Sequence, residues 1–258
     1  MISFLQNLSM TGVLAALAIV MLITPLVHRA VRFKKLRLWV EADEIVVNYV
    51  QMMTVFYGLL LGLAAVDLWQ KQDEAEKNTV GEANQIRIVL DDLLTSAPGD
   101  KEVLRNALAD YVQAVLKKEW PMMLDGKQQE MFVASPELDN VRSAIMELEP
   151  KTMAEQVTFQ EILGHYNEIT VARQRRLLDS QRSLPIVLRA TLIIGAFFTW
   201  FSTFFIPFSH PRSHYLLSSI TAGYLFLLLY LILVLEHPFV GAWRVDARPY
   251  EHVLEVLR

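Results

Sequence analysis

Four apolar stretches, each near the roughly 20 residues that a helix needs to cross the hydrocarbon core of a bilayer, constrain this chain more than any other feature. They cover about Leu8–Val27, Ile45–Trp69, Leu184–Phe205 and Tyr215–Leu235. Their concentration in blocks lifts the hydrophobic content to 53%, above the roughly 45–50% of a soluble domain. The first stretch is expected to end at Pro25 and a basic loop, HRAVRFKKLR. No positive n-region precedes it and no small-residue cleavage site follows, so it reads as an uncleaved span. The third begins at SLP, where Pro185 suits a first helical turn because its missing N–H would be unpaired there anyway. Only IPFSHPRSH separates the third from the fourth, a tight connection between antiparallel neighbours.

Between the second and third stretches lies a polar insert, Gln70–Ser183, with 14 Lys and Arg against 20 Asp and Glu. Its apolar residues recur at helical spacing. One stripe is expected through Val80, Ala83, the stem of Arg87, Leu90 and Leu94, and another through Leu104, Leu108, Tyr111, Val115 and Leu116. Helix boundaries are expected at Asp100, capping after APGD, at Trp120, where EWP ends a helix, and at Ser135, an N-cap followed by Pro136. A last insert helix is expected over Lys151–Asp179, running on toward the third span. The fold class is therefore all-α: four transmembrane helices, two before and two after a soluble helical bundle, and an amphipathic C-terminal tail over 236–258.

The second span carries polar groups that lipid would not favour. Asn48, Gln51, Val55, Gly58, Gly62 and Ala65 fall at alternating steps of three and four, one narrow stripe of a helix. Gly58 and Gly62 form a GxxxG, which lets another helix approach closely where hydrophobicity gives no drive to associate. Two readings stay open: helix packing with amides bonding across an interface, or a stripe lining a pore on the axis of an oligomer. Asp67, Arg189 and Glu236 gather at one end of the spans, either as a structural ion pair or as a charge ring in which Arg189 attracts an anion.

Several classes of function are disfavoured. The net charge of −4 gives no basic stripe for nucleic acid, and with no cysteine there is neither a disulfide nor a thiolate metal site. His210 and His214 are separated by Pro211 and lack an acid at zinc-ligand spacing, so no metal and no cofactor are expected. No nucleophile elbow, phosphate loop or HExxH motif occurs, so no catalytic residues are expected; convergence of Glu119, His165 and another acid in one pocket of the insert would revive an enzyme reading. Arg29, Arg32, Lys34, Lys35 and Arg37 place the first loop in the cytoplasm and the insert outside. Arg173, Arg175, Arg176, Arg182, Arg244 and Arg248 weigh the other way.

Three stretches together resemble the bacterial bestrophin-like membrane proteins: VFYGLLLGLAAVDLWQKQDEAEKNTVGEANQI, LADYVQAVLKKEWPMM and LEHPFVGAWRVDARPYEHVL. The last is similar to that family's acid-x-Pro-Phe-x-Gly tail, with Glu236, Pro238, Phe239 and Gly241 in the matching positions. The resemblance implies a homo-oligomer in the cell's inner membrane, pentameric by analogy, with the second span of each subunit lining a path for inorganic anions such as chloride. It also implies a cytoplasmic middle domain, opposite to the charge reading. Bestrophins proper follow Asn-Pro-Phe with a dense acidic run that holds calcium, whereas here only Asp246 and Glu251 follow. They narrow the pore with aromatic and branched residues, while Phe56 and Tyr57 lie off the small-polar stripe. The alternative function is a non-conducting membrane scaffold or sensor whose insert binds a protein or a small ligand.

Overall fold

The structure, a computed structural model, describes residues 10–31, 44–96, 101–125, 135–206, 210–241 and 243–258. Among the described residues the regular structure is helical throughout. The helices are α1 (Met10–Val31), α2 (Glu44–Ser96), α3 (Lys101–Ala114), α4 (Trp120–Asp125), α5 (Pro136–Met146), α6 (Met153–Gln181), α7 (Ile186–Ser202), α8 (Pro211–Leu235) and α9 (Arg248–Leu257). Asp100 and the basic residues Arg32, Lys34, Lys35 and Arg37 lie outside the described residues. The chain divides into two compact units, one of residues up to Trp69 with Ser183–Glu236, the other of Gln70–Arg182 with His237–Arg258.

The first unit holds four helices long and apolar enough to cross a membrane: α1, the first part of α2, α7 and α8. Pro25 does not end α1, which runs on to Val31. Its ring removes only the bond to the Met21 carbonyl, a loss that membrane helices tolerate, and one residue earlier Thr24 Oγ1 donates to the Val20 carbonyl at 2.9 Å. α1 packs on α8 at Gly223, where an added Cβ would meet Leu17 and Met21 at 3.1 Å. From α2, Tyr57, Leu61, Ala64 and Leu68 form the buried face, meeting Leu192 and Ala196 of α7 and Leu225, Ile232 and Leu235 of α8. The Tyr57 hydroxyl donates to the Leu192 carbonyl at 2.8 Å, and Gly195 leaves room for its ring.

The second unit has its own core, drawn from α2, α3, α4, α5, α6 and α9. α2 is a single uninterrupted helix of 53 residues, more than twice a bilayer span. Its buried face here is Ala75, Thr79, Glu82, Ala83, Ile86, Val89, Leu90 and Leu93. The expected stripe is thereby corrected: Ala83 and Leu90 belong to the core, but Val80, Arg87 and Leu94 are exposed. A buried Glu and a buried Thr interrupt the true stripe and hid it from an apolar pattern. In α3 and the turn after it, Leu104, Leu108, Tyr111 and Val115 are fully buried as expected.

Trp120 does not end its helix. Pro121 cannot donate to the Lys117 carbonyl, and the chain widens into a π turn, Val115–Glu119, in which the Trp120 N–H bonds back five residues to the Val115 carbonyl. The helix then continues through Asp125. Ser135 does cap α5: its hydroxyl accepts from the Leu138 N–H at 3.4 Å. α6 starts with a capping box between Thr152 and Glu155. It does not run into the third span, because Arg182 and Pro185 are both extended, with ψ of 128° and 136°. Proline disfavours a helical residue before it and has no N–H to continue the ladder.

Candidate functional site

In the single chain, Asn48, Gln51, Val55, Gly58 and Gly62 are exposed and Ala65 is half-buried, on a different face of α2 from the packed Tyr57, Leu61 and Leu68. A Cβ built on Gly58 or Gly62 meets nothing within 4 Å. These two glycines and Ala65 border a cleft of about 230 Å³, whose other wall includes Tyr224, Leu228 and Leu231 of α8. Thr54 also reaches it, but its hydroxyl hydrogen is already given to the Val50 carbonyl at 2.8 Å.

Of the charged trio, Arg189 and Glu236 form an ion pair, while Asp67 is exposed. Glu236, at the C-cap of α8, has a side chain only 1% exposed. It also accepts the Leu184 N–H at 3.1 Å, a donor that lies ahead of α7 and so has no carbonyl of that helix to meet. The pair therefore fixes the end of α8 to the start of α7.

The rest of the tail motif acts in the second unit. Val240 N–H bonds to the His237 carbonyl at 3.1 Å, a turn with Pro238 at its second position. Gly241 has φ of 102°, where a side chain would be strained. Val245 N–H then returns to the Pro238 carbonyl at 2.8 Å, and Gln72 of α2 donates to the Trp243 carbonyl at 3.0 Å. Phe239 is buried edge-on against Trp120, 5.6 Å between centroids, and Trp120 meets Tyr250 at 5.8 Å. The Glu-Trp-Pro segment and the tail thus close on each other.

Beneath these rings lies a buried ionic cluster. Arg176 of α6 holds both oxygens of Glu82 from α2, at 2.8 and 3.2 Å, and Glu119 from the π turn at 2.6 Å. Arg173, one turn earlier on α6, adds a second cation to Glu119 at 2.8 Å. Tyr111 donates to Glu82 at 2.6 Å, and the Tyr250 ring covers the Arg176 guanidinium at 5.6 Å. Burial pushes the Tyr111 and Tyr250 hydroxyls well above the ordinary tyrosine value, with Glu82 adding to it. Burial also works to raise Glu119, but Arg176 and Arg173 outweigh it and hold that carboxyl below the ordinary value. Four charges, two of each sign, satisfy one another, which a buried set requires. The π turn makes this possible: the extra residue turns both Glu119 and Trp120 inward.

Glu119 and His165 are not brought together. His165 Nδ1 lies 2.8 Å from Gln85 Oε1, and its Nε2 is 3.8 Å from Asp92. His214 Nε2 instead meets the Thr203 carbonyl at 2.8 Å. Among the described residues no group of three or more His, Cys, Asp or Glu could hold a metal ion. Sequence reasoning missed Glu82 and Arg176: of the positions three and four away, only Ile86 beside Glu82 and Ala172 beside Arg176 are apolar, so periodicity carried almost no signal for either.

Bilayer-length apolar helices, among described residues whose regular structure is all helical, define a helical membrane protein. The chain matches the family model of the Bestrophin-like domain over residues 14–250 and belongs to that family. No curated protein and no solved structure matches it.

Proposed function

We propose that the protein is a subunit of a homo-oligomeric ion channel of the cell's inner membrane that passes anions such as chloride, with α2 of each copy beside the conducting axis. The observation that carries this reading is the uncovered face of α2. Asn48, Gln51, Val55, Gly58 and Gly62 are open in the single chain, whereas the Tyr57 and Leu61 face is packed. An amide N–H offers a partly dehydrated anion a donor, and glycines keep a pore wide. Family membership supports a channel-type protein. In this reading Arg189 and Glu236 hold α7 to α8, and Asp67 is left at the mouth. The basic loop after α1 supports a second unit that is soluble and extracytoplasmic.

The natural chain has no cysteine, so single cysteines along α2 test the proposal directly. Thiol reagents in the aqueous phase should alter the current at positions 48, 51, 55, 58 and 62 and leave it unchanged at 57, 61 and 68. Modification with no such period would remove α2 from the conducting path. One feature favours a non-conducting scaffold or sensor instead: Gly58 and Gly62 border the cleft against α8, a place where close helix packing would use them equally well.

A further inference from the structure

The buried ionic cluster is graded in exposure from its centre to its rim. The Glu82 and Arg176 side chains are 0% exposed, Glu119 is 11% and Arg173 is 14%. The groups facing Glu119 are Arg173 and Arg176 from α6, Glu82 from α2, Tyr111 from α3 and Tyr250 from α9. With both acids ionised, Glu82, Glu119, Arg176 and Arg173 sum to zero. If Glu119 takes up one proton, Glu82 and Arg176 still hold each other in a bidentate pair, and the buried charge is zero with Arg173 gone. The cluster thus has two neutral compositions that differ by one proton and one rim guanidinium. Intermediate compositions bury an unpaired charge, which a low-dielectric interior strongly disfavours.

We infer that Arg173 is an acid-releasable latch: docked, it completes the cluster around ionised Glu119, and protonation of Glu119 frees it to solvent. Release loosens the π turn, because the Arg173 contact holds Glu119 from the outer side while Arg176 holds it from within. The sign follows from the depressed carboxyl of Glu119. Its stabilising contribution is complete above the unfolded carboxylate value and disappears as pH falls through the lower folded value.

The test uses the full-length protein in detergent, following the thermal midpoint and amide exchange of residues 111–125 across pH, corrected for intrinsic exchange. In the wild type, protection of that segment should fall only in acid, below the ordinary carboxylate range. Arg173→Gln should move the fall upward by ~1 pH unit, the lower end of what one close opposite charge does to a carboxyl. Arg173→Lys should restore most of the wild-type profile, and Arg173→Gln with Glu119→Gln should lose the pH-dependent step. An Arg173→Gln profile superimposable on that of the wild type would overturn the latch, as would persistence of the step in the double variant.

Discussion

Arg176 shows at the scale of single residues what the sequence conceals. It lies in a run, ARQRRLL, that reads as a basic flank of the third span, yet its side chain is fully buried between two carboxylates. Removing it strands Glu82 and Glu119, so Arg176→Met should destabilise the second unit by about 3–5 kcal/mol, measured by chemical denaturation. Replacing Glu82, Glu119 and Arg176 together with apolar residues of similar size should cost far less, since no charge is then left unpaired. Apolar periodicity found Leu104, Leu108, Tyr111 and Val115 because their face carries no charge. It mistook the face of α2 because Glu82 and Thr79 occupy core positions there. The tail residues Phe239 and Gly241 were legible only as a motif, whose physical meaning is a buried ring and a left-handed turn.

Elements were easier to read than their ends. All four apolar helices were legible from length alone, since no other structure crosses lipid so simply. The misplaced boundaries were Pro25, Trp120 and the junction at 182–185. Each is a proline effect decided by which carbonyl the missing N–H would have met. Packing between α2 and α7 depends on one such local detail. A Cβ at Gly195 would stand 2.6 Å from the Tyr57 ring, so Gly195→Ala should displace the ring, break its bond to Leu192 and cost about 1–3 kcal/mol. Tyr57→Phe should lose only the hydrogen bond, about 1 kcal/mol. In Tyr57→Leu the ring is gone, so adding Gly195→Ala to it should cost less than in the wild type, a coupling that a double-mutant cycle reads.

For the whole molecule, the proposed placement of the second unit rests on charge and the proposed conducting role on the exposed face of α2. The two are tested separately. A single cysteine at exposed Glu168 should react with an impermeant maleimide on intact spheroplasts if loop charge sets the topology. Reaction only after lysis would place the unit in the cytoplasm and reverse the assignment. The conducting role is tested most directly by ion flux into liposomes carrying the purified oligomer, comparing chloride with potassium under an imposed gradient and repeating the measurement with Gln51→Leu and Gly58→Leu. The channel reading predicts flux that favours chloride and falls in both variants while the oligomer survives. An intact, correctly inserted oligomer with no flux above that of empty liposomes, across pH and with calcium present, would contradict it.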